Sequence, residues 1–168
     1  MMTQLVLIGF MGAGKTTLSQ ALGAATGLPV YDTDDLVAAA AHQTIAEIFA
    51  AEGEAGFRQR ETAALAEALR HDPAIIATGG GIVTQAENRA RLAALAIPVV
   101  QLTVTPAEIN RRLAGTTDRP LFQENWPALL AARQPWYATS ANHLLDTTGR
   151  SVPALVAELQ AILNEKAG

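Results

Sequence analysis

Apolar positions recur along the chain in two rhythms. Short unbroken runs, Leu5-Val-Leu-Ile8, residues 74–78 and residues 98–104, are bounded by glycine, proline or polar turn residues and predict buried strands. Pro29-Val30-Tyr31 adds a shorter strand and residues 143–146 a fifth. Between these runs the spacing becomes helical: Leu18, Ala21, Leu22 and Ala25 share one face of residues 15–26, with Gly27 as a stop. A short helix is expected after Asp35, and Thr44-Ile-Ala-Glu47 is a capping box opening a helix that closes near Gly53. Residues 54–71 form another, with Phe57, Ala64, Leu65, Ala68 and Leu69 inward. Two more capping boxes, Thr84 to Glu87 and Thr105 to Glu108, start helices toward Ala94 and through Arg111 and Arg112. Pro127 restarts a helix toward Arg133 and Tyr137, and an amphipathic helix over 152–163 ends the pattern.

Strand and helix therefore alternate, which predicts an α/β three-layer sandwich: a central five-stranded parallel sheet with helices on both faces. No repeat or linker interrupts the 168 residues, a length within the usual range of about 100 to 200 for one domain, so residues 1–168 are expected to form a single one.

Composition narrows the function classes. Hydrophobic residues make up 49% and aromatics 5%, with alanine prominent, so the core is expected from helices and aliphatic strands. The net charge of -4 argues against a duplex nucleic-acid binder, which normally carries a basic stripe. Cysteine is absent, which removes disulfides and thiolate metal sites and suits a reducing compartment. The first residues lack the pattern of a signal peptide, and no apolar run approaches the ~18 residues of a membrane span; a cytoplasmic protein is expected. No long exposed apolar stripe demands a partner, so a monomer is expected.

Candidate chemistry begins at the first strand. Gly9, Gly14, Lys15 and Thr16 fit G-x-x-x-x-G-K-[ST] between a predicted strand and a predicted helix, the order that phosphate binding requires. Glycine reaches backbone angles closed to other residues, so the amides of residues 12–17 (Gly12, Ala13, Gly14, Lys15, Thr16 and Thr17) are free to converge on phosphate oxygens. Lys15 brings charge to the β and γ phosphates, Thr16 offers its hydroxyl to magnesium, and the helix directs its positive end at the anion. The second strand ends in Asp32-Thr33-Asp34-Asp35, at the strand edge where ligands sit in open parallel sheets. Asp35 reads as a cap; Asp32 and Asp34 alternate along extended chain and project to one side, although turn chemistry also accounts for aspartates there. Gly79-Gly80-Gly81 at the end of the third strand fits a close backbone approach to a ligand, or a loose turn. Arg58 and Glu61 are helix neighbours, and spacing alone makes them a surface ion pair of little worth. Residues 115–126 are polar and rich in breakers, as lids often are.

A triphosphate loop serves many reactions. The chain has no Asn-Lys-x-Asp guanine reader, and neither the third nor the fourth strand ends in an aspartate to sit behind magnesium, which leaves Asp32 for that position.

Seven stretches taken in order resemble the shikimate kinases of aromatic amino-acid biosynthesis. Gly9 to Thr17 resembles their phosphate loop and Asp32-Thr-Asp34 their second-strand carboxylates; Ile45-Ala-Glu-Ile-Phe-Ala50 and Phe57-Arg-Gln-Arg-Glu61 resemble their substrate helices. Ala77-Thr-Gly-Gly-Gly81, Asp118-Arg-Pro-Leu121 and Arg133-Gln-Pro-Trp-Tyr137 complete the set, which runs from about Leu5 to Asp146. The resemblance implies a phosphate-loop NTPase fold of the nucleoside-monophosphate-kinase type, with a substrate-binding helical region over about 33–62 and a lid over about 113–126. It implies ATP and Mg2+ as cofactors, and phosphoryl transfer to the 3-hydroxyl of shikimate. Lys15, Asp34 and Arg119 would be catalytic, with Asp34 holding the attacking hydroxyl and Arg119 closing on the transferring phosphate. Arg58 and Arg133 would clamp the carboxylate, Glu61 would orient Arg58, and Gly79, Gly80 and Gly81 would offer backbone contact. Thr16 and Asp32 would hold the metal, and Arg112 would lie along the adenine opposite Pro153, one residue away from the expected spacing.

Some positions depart from the family pattern. His42 stands in place of a glycine between two helices, where it would rely on histidine's tolerance of a left-handed conformation. Residues 38–41 are alanines in place of charged residues, Trp136 replaces a leucine, and the lid is short with one arginine. His71 and His143 read as a helix-end and a strand residue. Two other functions are weighed beside the leading one: a kinase for another polyol acid such as gluconate, and a catalytically silent nucleotide-binding homologue. The Phe57-Arg58-x-x-Glu61 set with Arg133 argues against the first, and intact Lys15, Asp34 and Arg119 against the second.

Overall fold

The computed structural model describes residues 2–113 and 125–165. Five parallel strands, β1 (Gln4–Gly9), β2 (Val30–Asp32), β3 (Ala74–Ala77), β4 (Val99–Thr103) and β5 (His143–Asp146), lie in the order β2-β3-β1-β4-β5. All of β1 is buried, as a strand covered on both faces must be, and its register pairs Leu7 with Ala77 of β3 and Gly9 with Leu102 of β4. Alternate β1 residues feed two cores. Val6 and Ile8 pack with Leu65, Ile76, Ile109 and Tyr137 on one face, while Leu5 and Leu7 pack with Leu18, Leu22, Leu155 and Leu159 on the other. The helices are α1 (Lys15–Thr26), α2 (Thr33–Ala41), α3 (Ile45–Ala68), α4 (Ala86–Ala93), α5 (Pro106–Leu113), α6 (Trp126–Ser140) and α7 (Val152–Leu163). The three-layer α/β sandwich expected from the sequence is the observed architecture.

A third, smaller apolar cluster of Val37, Ile48, Phe57 and Ala64 seats α2 against α3. α3 is interrupted at Gly53 (φ 71°, ψ -175°), so the expected break between two helical segments is real. His42 ends α2 in the left-handed conformation (φ 54°, ψ 38°), as its position required.

Two local expectations need adjustment. Thr44 and Thr105 do cap their helices, accepting from the amides of Glu47 (3.1 Å) and Glu108 (3.3 Å). Thr84 does not: its hydroxyl donates to the Gly81 carbonyl at 2.7 Å inside a 3-10 turn over Ile82–Thr84, and α4 starts later without a side-chain cap. The α2 cap is Asp32, whose Oδ1 accepts from the Asp34 amide at 2.8 Å, and Asp35 lies in the first helical turn. Among the described residues no helix is long and apolar enough to cross a membrane.

Candidate active site

The site lies where β1, β2 and β3 end. Gly9, Gly12 and Gly14 all have positive φ (153°, 81° and 97°), and a Cβ on Gly9 would stand 2.7 Å from the Leu102 carbonyl oxygen of β4. Gly14 caps α1 without a side chain, so the first-turn amides face a cleft of about 390 Å³. Residues 12–17 form one wall of that cleft, and Asp32, Asp34, Gly79 and Gly80 form another. Lys15 is buried and its Nζ donates to the carbonyls of Gly9 (2.6 Å) and Phe10 (2.9 Å).

At the far end Arg112 lines the cleft, tied to Glu108 (3.0 Å) and to the Gly12 carbonyl (2.8 Å). Hydrogen bonds from Arg111 and then Arg112 pull the Glu108 carboxyl down to about 2. Pro153 is exposed and does not line the cleft; Val152, one residue earlier, takes that place with Thr147, Arg150 and Leu155.

The other end is built on α3. Arg58 and Glu61 are 3% and 1% exposed, joined Nη1 to Oε1 at 2.9 Å, with Glu54 on Nη2 at 3.2 Å. The surface pair that spacing alone suggests is therefore a buried pair, because α3 passes beneath the glycine turn. A Cβ on Gly81 would lie within 2.4 Å of the Arg58 guanidinium, and one on Gly79 would lie 2.7 Å from Glu61 Oε2 and 3.1 Å from Asp34 Oδ1. Two of the three glycines thus make room for the protein's own charged side chains. At Gly80 the carbonyl accepts from the Tyr137 hydroxyl, and a Cβ would press on the Met11 amide at 3.2 Å. Arg133 on α6 is 3% exposed and lies 6.0 Å from the Phe10 ring centroid.

Several buried polar atoms around this turn have no hydrogen-bond partner among the described residues: Asp34 Oδ1, Arg58 Nε, and Arg133 Nε and Nη1. Buried groups of this kind are costly unless something pairs them, and a ligand with an anionic group and a hydroxyl would complement them. Burial, and then the nearby Asp32 carboxylate, push Asp34 up to about 6, against the pull of Lys15. Burial also raises Asp32 and, despite Arg58, Glu61; it lifts Tyr137 to about 12. Thr16 and Asp32 share the cleft and supply hard oxygen donors only, which fits a magnesium-type ion. Among the described residues no three His, Cys, Asp or Glu side chains cluster to hold a metal by themselves. Arg119 and residues 114–124, where the lid is expected, lie outside the described residues.

Sequence reasoning missed three contributors. Thr33 Oγ1 accepts from the Gly79 amide at 3.1 Å and pins the turn to α2; it sits unremarked between the two aspartates. Glu54 holds Arg58, and i,i+4 spacing was its only signal. Arg150 lines the cleft, and no pattern marks it.

The model of the shikimate kinase family matches residues 11–164. The shikimate kinase of Limosilactobacillus fermentum is 45% identical over 159 residues, covering 92% of this chain and 91% of its own. The solved structure of shikimate kinase from Acinetobacter baumannii in complex with shikimate is similar with a TM-score of 0.88 and 36% identity, over 98% of this chain and 95% of that one. A gluconokinase from Sinorhizobium meliloti reaches a TM-score of 0.64 at 19% identity, over 95% of this chain and 90% of that one, a likeness of fold alone. Since the family model and relatives of this identity extend over nearly the whole sequence, the chain belongs to the shikimate kinase family.

Proposed function

We propose that the protein transfers the γ-phosphoryl group of ATP to the 3-hydroxyl of shikimate, giving shikimate 3-phosphate and ADP. The observation that carries this reading is the set of buried donors on Arg58 and Arg133 and the Asp34 oxygen that have no partner among the described residues, around the glycine turn that borders the phosphate-loop cleft. A compact acid with ring hydroxyls supplies the carboxylate for the two guanidinium groups and a hydroxyl for Asp34.

In the reaction the acceptor oxygen forms a bond to the γ-phosphorus, the bond to the β-γ bridging oxygen breaks, and the hydroxyl proton passes to the Asp34 carboxylate. With its carboxyl at about 6, Asp34 is ionised at neutral pH yet basic enough to hold a proton. Lys15 and the α1 amides neutralise phosphate charge, and Arg112 and Val152 bound the nucleotide end. Thr16 and Asp32 would hold magnesium, which supplies charge neutralisation on the β and γ oxygens when bound. Little covalent help is needed; positioning and preset charge do the rest.

The test is a coupled ADP-release assay on purified protein with shikimate, quinate, gluconate and no acceptor. ADP release with shikimate is expected. Activity on gluconate alone refutes the reading, and nucleotide binding without turnover on any acceptor identifies a silent homologue.

A further inference from the structure

The glycine turn continues into the 3-10 turn, and its three carbonyls are all taken by two side chains of α4. Asn88 Nδ2 donates to Ile82 O at 3.0 Å, and Arg89 Nη1 donates to Val83 O at 2.7 Å and Thr84 O at 3.2 Å. The same Arg89 guanidinium lies over the Trp136 ring, 4.7 Å from its centroid. Trp136 is on α6, three residues after Arg133 and next to Tyr137, whose hydroxyl donates to Gly80 O. The turn and α6 are therefore tied at two points, one direct through Tyr137 and one through Arg89.

We infer that Arg89 and Trp136 form a strut that sets the separation of the Gly79–Gly81 backbone from Arg133, and so tunes acceptor binding. This deepens the proposed reading and rests on it. Arg89 is a positioning residue: its contacts are with the turn and the indole, while Asp34 is held by α2 and Lys15 by α1. Disturbing the strut moves the carboxylate clamp, while Lys15 and the α1 amides keep their own supports in the phosphate loop. A leucine at position 136 would offer no ring face to the cation, so this tie depends on the indole of Trp136.

The test compares Arg89→Met, Trp136→Leu, Trp136→Phe and the double variant Arg89→Met/Trp136→Leu. Loss of a charge-assisted hydrogen bond and a cation-π contact predicts a rise of about tenfold in KM for shikimate in Arg89→Met, with kcat and KM for ATP within about twofold of wild type. Trp136→Leu is expected to give about a threefold rise, Trp136→Phe to restore most of it, and the double variant to be less than the product of the singles. In the free protein, the amides of Ile82 and Thr84, which donate to Gly79 O (3.1 Å) and Gly81 O (3.0 Å), are expected to exchange faster in Arg89→Met. Equal shifts in KM for both substrates, multiplicative effects in the double variant, or unchanged exchange at Ile82 and Thr84 overturn the strut. If Arg89→Met does not fold, the Trp136 pair decides by the same KM split. Absence of shikimate turnover in the wild type refutes the proposed function instead, and the exchange measurement still decides the strut.

Discussion

Replacing Asp34 by asparagine is expected to stabilise the protein while disabling it. The carboxyl is pushed from its ordinary value of 3.8 up to about 6, mainly because burial strips its water and next because Asp32 repels its charge. The folded state thus holds the proton more tightly than the unfolded chain. That contribution to stability is complete below pH 3.8 and is lost as pH rises through about 6. A shift of this size corresponds to an upper bound of about 3 kcal/mol lost at pH 7.5 and roughly half of it at pH 5. Asparagine keeps the shape and never ionises, so the variant escapes the loss. For a domain of this size the gain at pH 7.5 is a rise in Tm on the order of 5 to 10 °C, closing toward pH 4. Thermal and urea unfolding at pH 7.5, 5 and 4, in magnesium-free buffer, measure it. The same variant is expected to bind ATP nearly as wild type and to turn over at least about a hundredfold more slowly. A Tm difference that does not change with pH refutes the burial account, and near-normal turnover refutes the role in transfer.

Three further outcomes follow from the same geometry. Arg58→Ala is expected to weaken shikimate binding by more than about tenfold in calorimetry with ATP affinity little changed; equal losses for both ligands would indicate misfolding instead. The kcat/KM for shikimate is expected to fall as pH drops through about 6, where Asp34 takes up its proton and ceases to accept one, and a flat profile between pH 5 and 8 would exclude it as the base. Gly81→Ala places a Cβ within 2.4 Å of the Arg58 guanidinium; displaced from its seat, Arg58 should lose the acceptor while fluorescence titration still detects nucleotide.

The strand, loop and helix over residues 4–26 were legible because every step is local: a run buried on both faces, glycines with positive φ, and a helix whose first amides need an anion. His42 was legible for the same reason, since a left-handed helix end is a property of one residue. Burial is not local. At three-residue spacing, Arg58 and Glu61 look the same in solvent and in a core, and only the passage of α3 beneath Gly79–Gly81 makes them a desolvated pair. Thr84 offered a capping pattern that the 3-10 turn spent on Gly81.

Taken alone, the sequence determined the alternation of strand and helix, the phosphate loop, and the family to which its ordered stretches point. The tertiary structure decided which polar groups lose water. Packing left donors on Arg58 and Arg133 without partners among the described residues, raised Asp34 to about 6, put Val152 on the cleft wall, and laid Arg89 across Trp136. Desolvation and orientation depend on neighbours distant along the chain, and no short window of residues contains them.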